Sequence, residues 1–240
     1  MRRPYIYIIM CIALLTTSCQ KDNDLTPASS VLELELSRAG RPLITTRAVD
    51  NDLTVDIYNK QNSRVGHYQP GSVPSKIVLE PGEFRLVAYT DNQTTWTTAN
   101  GGKGAGCFYA DTIFTMEDDM VFRLKLDVPM TNYAVGLSLP EHFHTYFPTY
   151  TFTLSSGGRT TTIKEGEKAY FDVADKGFTY ALWVTNSDNT PHSHSALEYN
   201  DIQAGKLFTI RYSYDSDATT GGVDIIITDD MEPDNNGITL

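Results

Sequence analysis

Apolar and polar residues alternate with a period of two along most of the chain beyond residue 30. Leu32, Leu34 and Leu36 alternate with Glu33 and Glu35, and Leu53, Val55 and Ile57 with Thr54 and Asp56. Phe84, Leu86 and Ala88 stand opposite Arg85, and Phe122, Leu124, Leu126 and Val128 repeat the scheme against Arg123, Lys125 and Asp127. Successive side chains of an extended strand point to opposite faces, so this period predicts strands with one buried and one solvated face, as in an antiparallel β-protein. No stretch carries the spacing of a helix three turns long.

Turn residues divide the strands. Glu80-Pro81-Gly82-Glu83 reads as a tight turn, with proline fixing φ and glycine supplying a positive one, and predicts a hairpin between residues 76–79 and 83–89. Residues 90–107 are polar and hold Gly101, Gly102, Gly104 and Gly106, which predicts a long mobile loop. Pro129 cannot donate to a strand ladder, so a boundary is expected near Asn132. The alternation then restarts, with strands expected over 133–139, 150–155, 159–164, 168–173, 178–185, 206–214 and 222–228. The expected class is all-β: two tandem antiparallel β-sandwich domains, immunoglobulin-like or transthyretin-like, over 31–131 and 132–230, with a tail over 231–240.

The start of the chain follows another grammar. Arg2 and Arg3 precede an apolar run over 5–15, then Thr16-Thr17-Ser18-Cys19. That run is roughly half the length of a membrane-spanning helix, about 20 residues, and matches a secretory signal over 1–18. Small residues directly before Cys19 resemble a lipobox, with Thr16 where a branched aliphatic residue is usual; ordinary signal cleavage nearby is the alternative. The resemblance implies a diacylglyceryl cysteine, held at the outer membrane because each buried methylene contributes about 0.8 kcal/mol. Residues 19–30 then form a flexible acidic tether, and Gln20-Lys21-Asp22-Asn23-Asp24 resembles the stretch that follows the lipidated cysteine in surface-exported lipoproteins of Bacteroidota. With Cys11 in the signal and Cys19 acylated, Cys107 has no partner for a disulfide; an unmodified Cys19 would be the alternative partner.

A formal net charge of −11 over 240 residues argues against nucleic acid, whose phosphates are held by clustered lysine and arginine. It equally disfavours electrostatic adhesion to an anionic bilayer, which leaves the lipid as the anchor.

A strand ending in Thr46-Arg47-Ala48, then 53–58, Leu79-Glu80-Pro81-Gly82-Glu83-Phe84 and Phe108-Tyr109-Ala110-Asp111 resemble the first domain of Bacteroidota surface lipoproteins related to fimbrillins. Residues 132–139, 143–146, 150–154, Ile202-Gln203-Ala204-Gly205-Lys206 and 223–230 resemble the domain of unknown function 4493 type. The resemblance implies a cell-surface protein of the outer membrane with a structural, adhesive or binding role and no reaction. In fimbrillins, cleavage after an arginine removes the first strand and the groove accepts a strand from the next subunit. Carried over, the cut would fall between Arg47 and Ala48 and free the strand over 31–37; an ordinary exposed loop at Arg47 is the alternative.

Other constellations are weaker. His142 with His144, and His192 with His194, have the spacing of metal ligands on a strand, but they lie among Pro140, Pro148 and Pro191, and read as solvated loops. Asp229, Asp230, Glu232 and Asp234 lack the ligand spacing of a calcium loop and read as a solvated tail. No Gly-x-Ser-x-Gly elbow occurs, and Cys107 reads as a small buried residue. The sequence therefore predicts no enzyme, no metal and no cofactor. Trp96, inside the polar loop, is a candidate for stacking on a glycan, as in the binding module of a nutrient-uptake system; packing over the sandwich edge is the alternative. Trp183, in a strand between Leu182 and Val184, is expected in core or inter-domain packing.

Overall fold

The structure is a computed structural model. It describes residues 29–38, 52–93, 95–185, 189–213 and 222–228, with 194–196, 213 and 222–228 described by backbone alone. The strands are β1 (Ser30–Arg38), β2 (Thr54–Asn59), β3 (Arg64–Tyr68), β4 (Ile77–Leu79), β5 (Gly82–Tyr89), β6 (Tyr109–Met116) and β7 (Val121–Val128), followed by a second set. That set comprises β8 (Tyr133–Ser138), β9 (Thr149–Ser156), β10 (Arg159–Ile163), β11 (Lys168–Phe171), β12 (Phe178–Thr185), β13 (Pro191–Tyr199), β14 (Leu207–Ser213) and β15 (Gly222–Thr228). The described helical segments are single turns, and none is long and apolar enough to cross a membrane.

The fold is all-β, as the alternation predicts. In the first unit a sheet ordered β4-β1-β7 lies over one ordered β3-β2-β5-β6. Their inner faces share one hydrophobic cluster, in which Leu32, Leu34 and Leu36 of β1 join Ile57, Leu86 and Phe114. Burying such side chains contributes about 2 kcal/mol each, which is what holds two half-apolar sheets face to face. In the second unit the sheets are ordered β11-β8-β14-β15 and β10-β9-β12-β13. Tyr133 sits at the centre of their cluster, fully buried, with ring centroids 5.6 to 6.1 Å from Phe208, Phe171 and Phe178. Its hydroxyl bonds the Ser156 hydroxyl at 3.1 Å and donates to the Gly177 carbonyl at 3.2 Å, and burial pushes its pKa up to about 12. Met130 belongs to the first cluster and Tyr133 to the second.

The two units repeat one topology. Counted within each unit, one sheet runs 3-2-5-6 in both, and the other runs 4-1-7 in the first unit and 4-1-7-8 in the second. Pairing senses match as well: the first strand runs antiparallel to the fourth and parallel to the seventh in both. The parallel pairs β1 with β7 and β8 with β14 were not signalled by the alternation, because a half-buried strand carries the same period in either sense.

Three expectations are corrected. Residues 80–83 do not close a hairpin: β4 pairs with β1 and β5 with β2 and β6, so the turn carries the chain from one sheet to the other. Gly82, at φ 152°, takes a conformation that favours glycine at that crossing. The segment holding His192 and His194 is the edge strand β13 and not a loop, with Val184 opposite His192 and Leu182 opposite His194. Within the expected loop over 90–107, residues 95–107 are a docked segment, described below.

Candidate functional site

β1 joins β4 and β7 into one sheet, pairing with β4 over Ser30 to Leu32 and with β7 over Val31 to Arg38. Its inner face is leucine and its outer face acidic. Glu33 Oε2 accepts from Arg123 Nε at 2.8 Å, and Glu33 Oε1 lies 3.5 Å from Lys76 Nζ. The Arg123 hydrogen bond, followed by the Arg123 charge and Lys76, outweighs partial desolvation and holds the Glu33 carboxyl below its usual range. Glu35 stands opposite Lys125, and the Ser37 hydroxyl donates to Asp127. An apolar-acid strand thus lies against an apolar-basic one, which fixes the register of a parallel pair that no short turn sets.

The far edge of β7 differs from its counterpart in the second unit. There β15 pairs with β14, and Phe208, Ile210 and Tyr212 are buried. Among the described residues no strand pairs with that edge of β7, and Phe122, Leu124 and Leu126 are only half-buried.

Residues 95–107 dock onto the second unit. A single turn over Trp96–Thr98 leads into Asn100 and Gly101 at φ 52° and 66°, a reversal that turns the following backbone toward β11. The Tyr170 amide donates to the Lys103 carbonyl at 2.8 Å, and Lys103 Nζ donates to Glu167 Oε1 at 2.6 Å. Arg159 donates to the carbonyls of Gly102, at 2.7 Å, and Tyr170. Its guanidinium carbon lies 5.4 Å from the Trp96 ring centroid and 4.5 Å from that of Phe171. Gly104, at φ 86°, presses against this contact: a Cβ there would lie 3.1 Å from the Tyr170 carbonyl oxygen and 3.3 Å from Trp96 Cε3. The loop expected to be mobile is therefore held by backbone hydrogen bonds, an ion pair and a stacked guanidinium. Trp96 is half-buried, with the Arg159 guanidinium over its ring.

Cys107 closes the segment. It is buried, and burial pushes its thiol up to about 11, which makes it a poor nucleophile near neutral pH. On the outer face of the first unit, Asp56 is buried and accepts from Tyr89 at 3.1 Å, with His67 Nδ1 at 2.7 Å and Arg64 Nη1 at 3.4 Å. Burial, with Asp56 next, pushes the Tyr89 hydroxyl up to about 12. His67 Nε2 is engaged by the Gln69 side-chain amide at 2.8 Å, where a triad would place a serine or cysteine. No local pattern marks this cluster, because Asp56, His67 and Tyr89 come from three strands.

His142 precedes the single turn Phe143–Tyr146 and His144 lies within it; both are exposed, His142 beside Glu141 and His144 beside Glu165. Among the described residues, no three His, Cys, Asp or Glu side chains converge on one point. Trp183 corrects its expectation: Leu182 points inward at 5% exposure, and Trp183, on the opposite face of β12, is 56% exposed. Cys19, Arg47, Ala48 and the acidic residues 229–234 lie outside the described residues.

These features define an all-β protein of two sandwiches. The chain belongs to the family described as Domain of unknown function (DUF4493), whose model matches residues 28–239. No curated protein matches it. Among solved structures, a protein of Bacteroides uniformis provisionally named a cell adhesion protein is similar at 12% identity and a TM-score of 0.46, covering 85% of this chain and 98% of that one. A fimbrial assembly protein of Parabacteroides distasonis is similar at 11% identity and 0.45, covering 83% and 94%. The tip fimbrial protein Mfa3 of Porphyromonas gingivalis, with C-terminal truncation, is similar at 8% identity and 0.42, covering 83% and 99%.

Proposed function

We propose that this chain is a non-enzymatic cell-surface lipoprotein, anchored to the outer membrane through Cys19, whose first sandwich takes part in assembly with other surface proteins by strand exchange. On this reading 1–18 is a signal, 19–30 a tether, and 31–131 and 132–230 the two domains. The observation that carries it is the place of β1. It is the first of the described strands, it lies between β4 and β7, and residues 39–53, which include Arg47 and Ala48, join it to β2.

A cut after Arg47 would remove Cys19 and β1 together, releasing the chain from its lipid. It would leave β4 and β7 without the strand that joins them and open an apolar slot where Leu32, Leu34 and Leu36 were. Unpaired strand edges beside an apolar slot are what an incoming strand completes. The second unit keeps its equivalent strand, β8, joined to β7 through only Pro129 to Asn132, so the first unit alone can lose its strand without breaking the folded chain.

The test is an Arg47→Ala variant expressed in the native envelope, read by N-terminal mass and by ladders on gels of non-boiled samples. The expected result is an assembled fraction beginning at Ala48 in the parent, and a variant that keeps acylated Cys19 and forms no ladder. Unchanged processing and unchanged ladders in the variant would overturn the strand-exchange reading; absence of acyl mass on Cys19 in the unprocessed chain would overturn the anchor.

A further inference from the structure

The outer face of the sheet ordered β10-β9-β12-β13 has a composition unlike the rest of the chain. Every outward position of β9, β10 and β12 is threonine or serine except Ala181 and Trp183. The chain has a formal charge of −11 and 20% charged residues, yet these three strands present no ionisable side chain on that face. Trp183 stands near one end of it, with Thr151 of β9 opposite on one side and Ser193 of β13 on the other. Ala181, two residues earlier on the same face, adds only a methyl, which leaves the indole raised above its neighbour along the strand. Glu198, opposite Thr179, is at the far end of β12.

We propose that this face is a binding platform for an uncharged polysaccharide, with Trp183 as the stacking residue and the hydroxyl rows of β9 and β10 as its polar flank. The indole offers a flat apolar surface that complements the C–H face of a pyranose. Neighbouring strands lie about 4.8 Å apart, so threonines on adjacent strands form a regular array of groups that both donate and accept, matching a ligand whose own polar groups are hydroxyls. Ser155 and Thr160 already bond hydroxyl to hydroxyl at 2.8 Å across two of these strands. A polyanion would find no counter-charge on β9, β10 and β12, and a polycation would find only Glu198 at the far end of β12. A second copy of the chain would need about 800 Å² per partner with an aromatic or aliphatic centre, and one indole among hydroxyls supplies little of it. The proposal is independent of cleavage at Arg47, since β9 to β13 belong to the second unit.

The experiment is affinity electrophoresis of the full chain, purified in mild detergent, through native gels containing galactomannan, barley β-glucan or soluble starch, with alginate as the charged comparison. Retardation is expected in at least one neutral gel and not in alginate. It should fall at least tenfold in apparent affinity in Trp183→Ala, and stay unchanged in Trp96→Phe, because Trp96 is engaged with Arg159. Since Trp183 is exposed, the variant should keep the parent's thermal midpoint. Lack of retardation in all three neutral gels, retardation that survives Trp183→Ala, or binding to alginate alone would each overturn the proposal. So would a parent that sediments as a dimer and a Trp183→Ala variant that sediments as a monomer, which would give the face to self-association.

Discussion

The Cys107 amide donates to Asn132 Oδ1 at 3.0 Å, and the same side chain returns a hydrogen bond from Nδ2 to the Ala105 carbonyl at 2.9 Å. Asn132 is the last residue before β8, and Cys107 lies just before β6, so one buried amide ties the end of the docked segment to the junction of the two sandwiches. Neither backbone group is supplied by a strand ladder at that point, and the asparagine takes its place.

Asn132→Ala leaves a buried amide and a part-buried carbonyl without these partners. Each unsatisfied group costs about 1 to 3 kcal/mol, so the variant should lose roughly 2 to 4 kcal/mol in urea unfolding. The Cys107 amide should also exchange with solvent faster than in the parent by hydrogen-exchange mass spectrometry. Parent-like exchange there would show that the segment is held without Asn132.

The Lys103–Glu167 pair makes docking sensitive to acid. The hydrogen bond from Lys103, then one from the Lys164 backbone, holds the Glu167 carboxyl below its usual range. A lowered folded value means that the stabilisation is complete above the ordinary glutamate range of about 4.3 and is lost as the pH falls through the lowered value. Because the pair is part-exposed, the effect is small, within about 1 kcal/mol. Indole fluorescence of a Trp183→Phe chain, which leaves Trp96 as the reporter, should shift in the parent background as the pH falls below the ordinary glutamate range. In a Lys103→Met background that transition should be lost or much reduced, because protonating Glu167 then breaks no contact to the docked segment at Lys103.

The strands that carry the architecture were legible where one face is buried and the other solvated. Leu32 to Leu36 and Phe122 to Leu126 alternate because the sandwich has an inside, and that holds whether the pair runs parallel or antiparallel; the sense of pairing was therefore invisible. β13 was missed because it is an edge strand where His192 and Ser193 are both exposed, so burial imposes no period on it. The turn at Pro81-Gly82 was legible as a turn and misread as a hairpin, since local chemistry fixes the reversal and not the sheet that receives the next strand. The docking of residues 95–107 depends on contacts such as Lys103 to Glu167, 64 residues apart, which no local pattern encodes. Trp183 was legible as a strand residue, but hydrophobicity placed it inward, whereas alternation with Leu182 places it outward.

The contrast between the two faces of β1 gives the last prediction. Leu36 is buried against the first core at 1% exposure, and Leu→Ala at such sites costs about 2 to 5 kcal/mol because the cavity only partly collapses. Glu35, one residue earlier, is exposed and stands opposite Lys125 in the register, and Glu35→Ala should cost under about 1 kcal/mol, since it removes only an exposed carboxylate. If β1 is an integral strand of the unprocessed sandwich, Leu36→Ala should lower the urea midpoint clearly and Glu35→Ala hardly at all. The loss should be confined to the first unit, with amide exchange faster in β7 and unchanged in β8 and β14. Equal effects from the two substitutions, or none from Leu36→Ala, would mean that β1 does not bury its leucines in solution, and the slot argued for strand exchange would lose its basis.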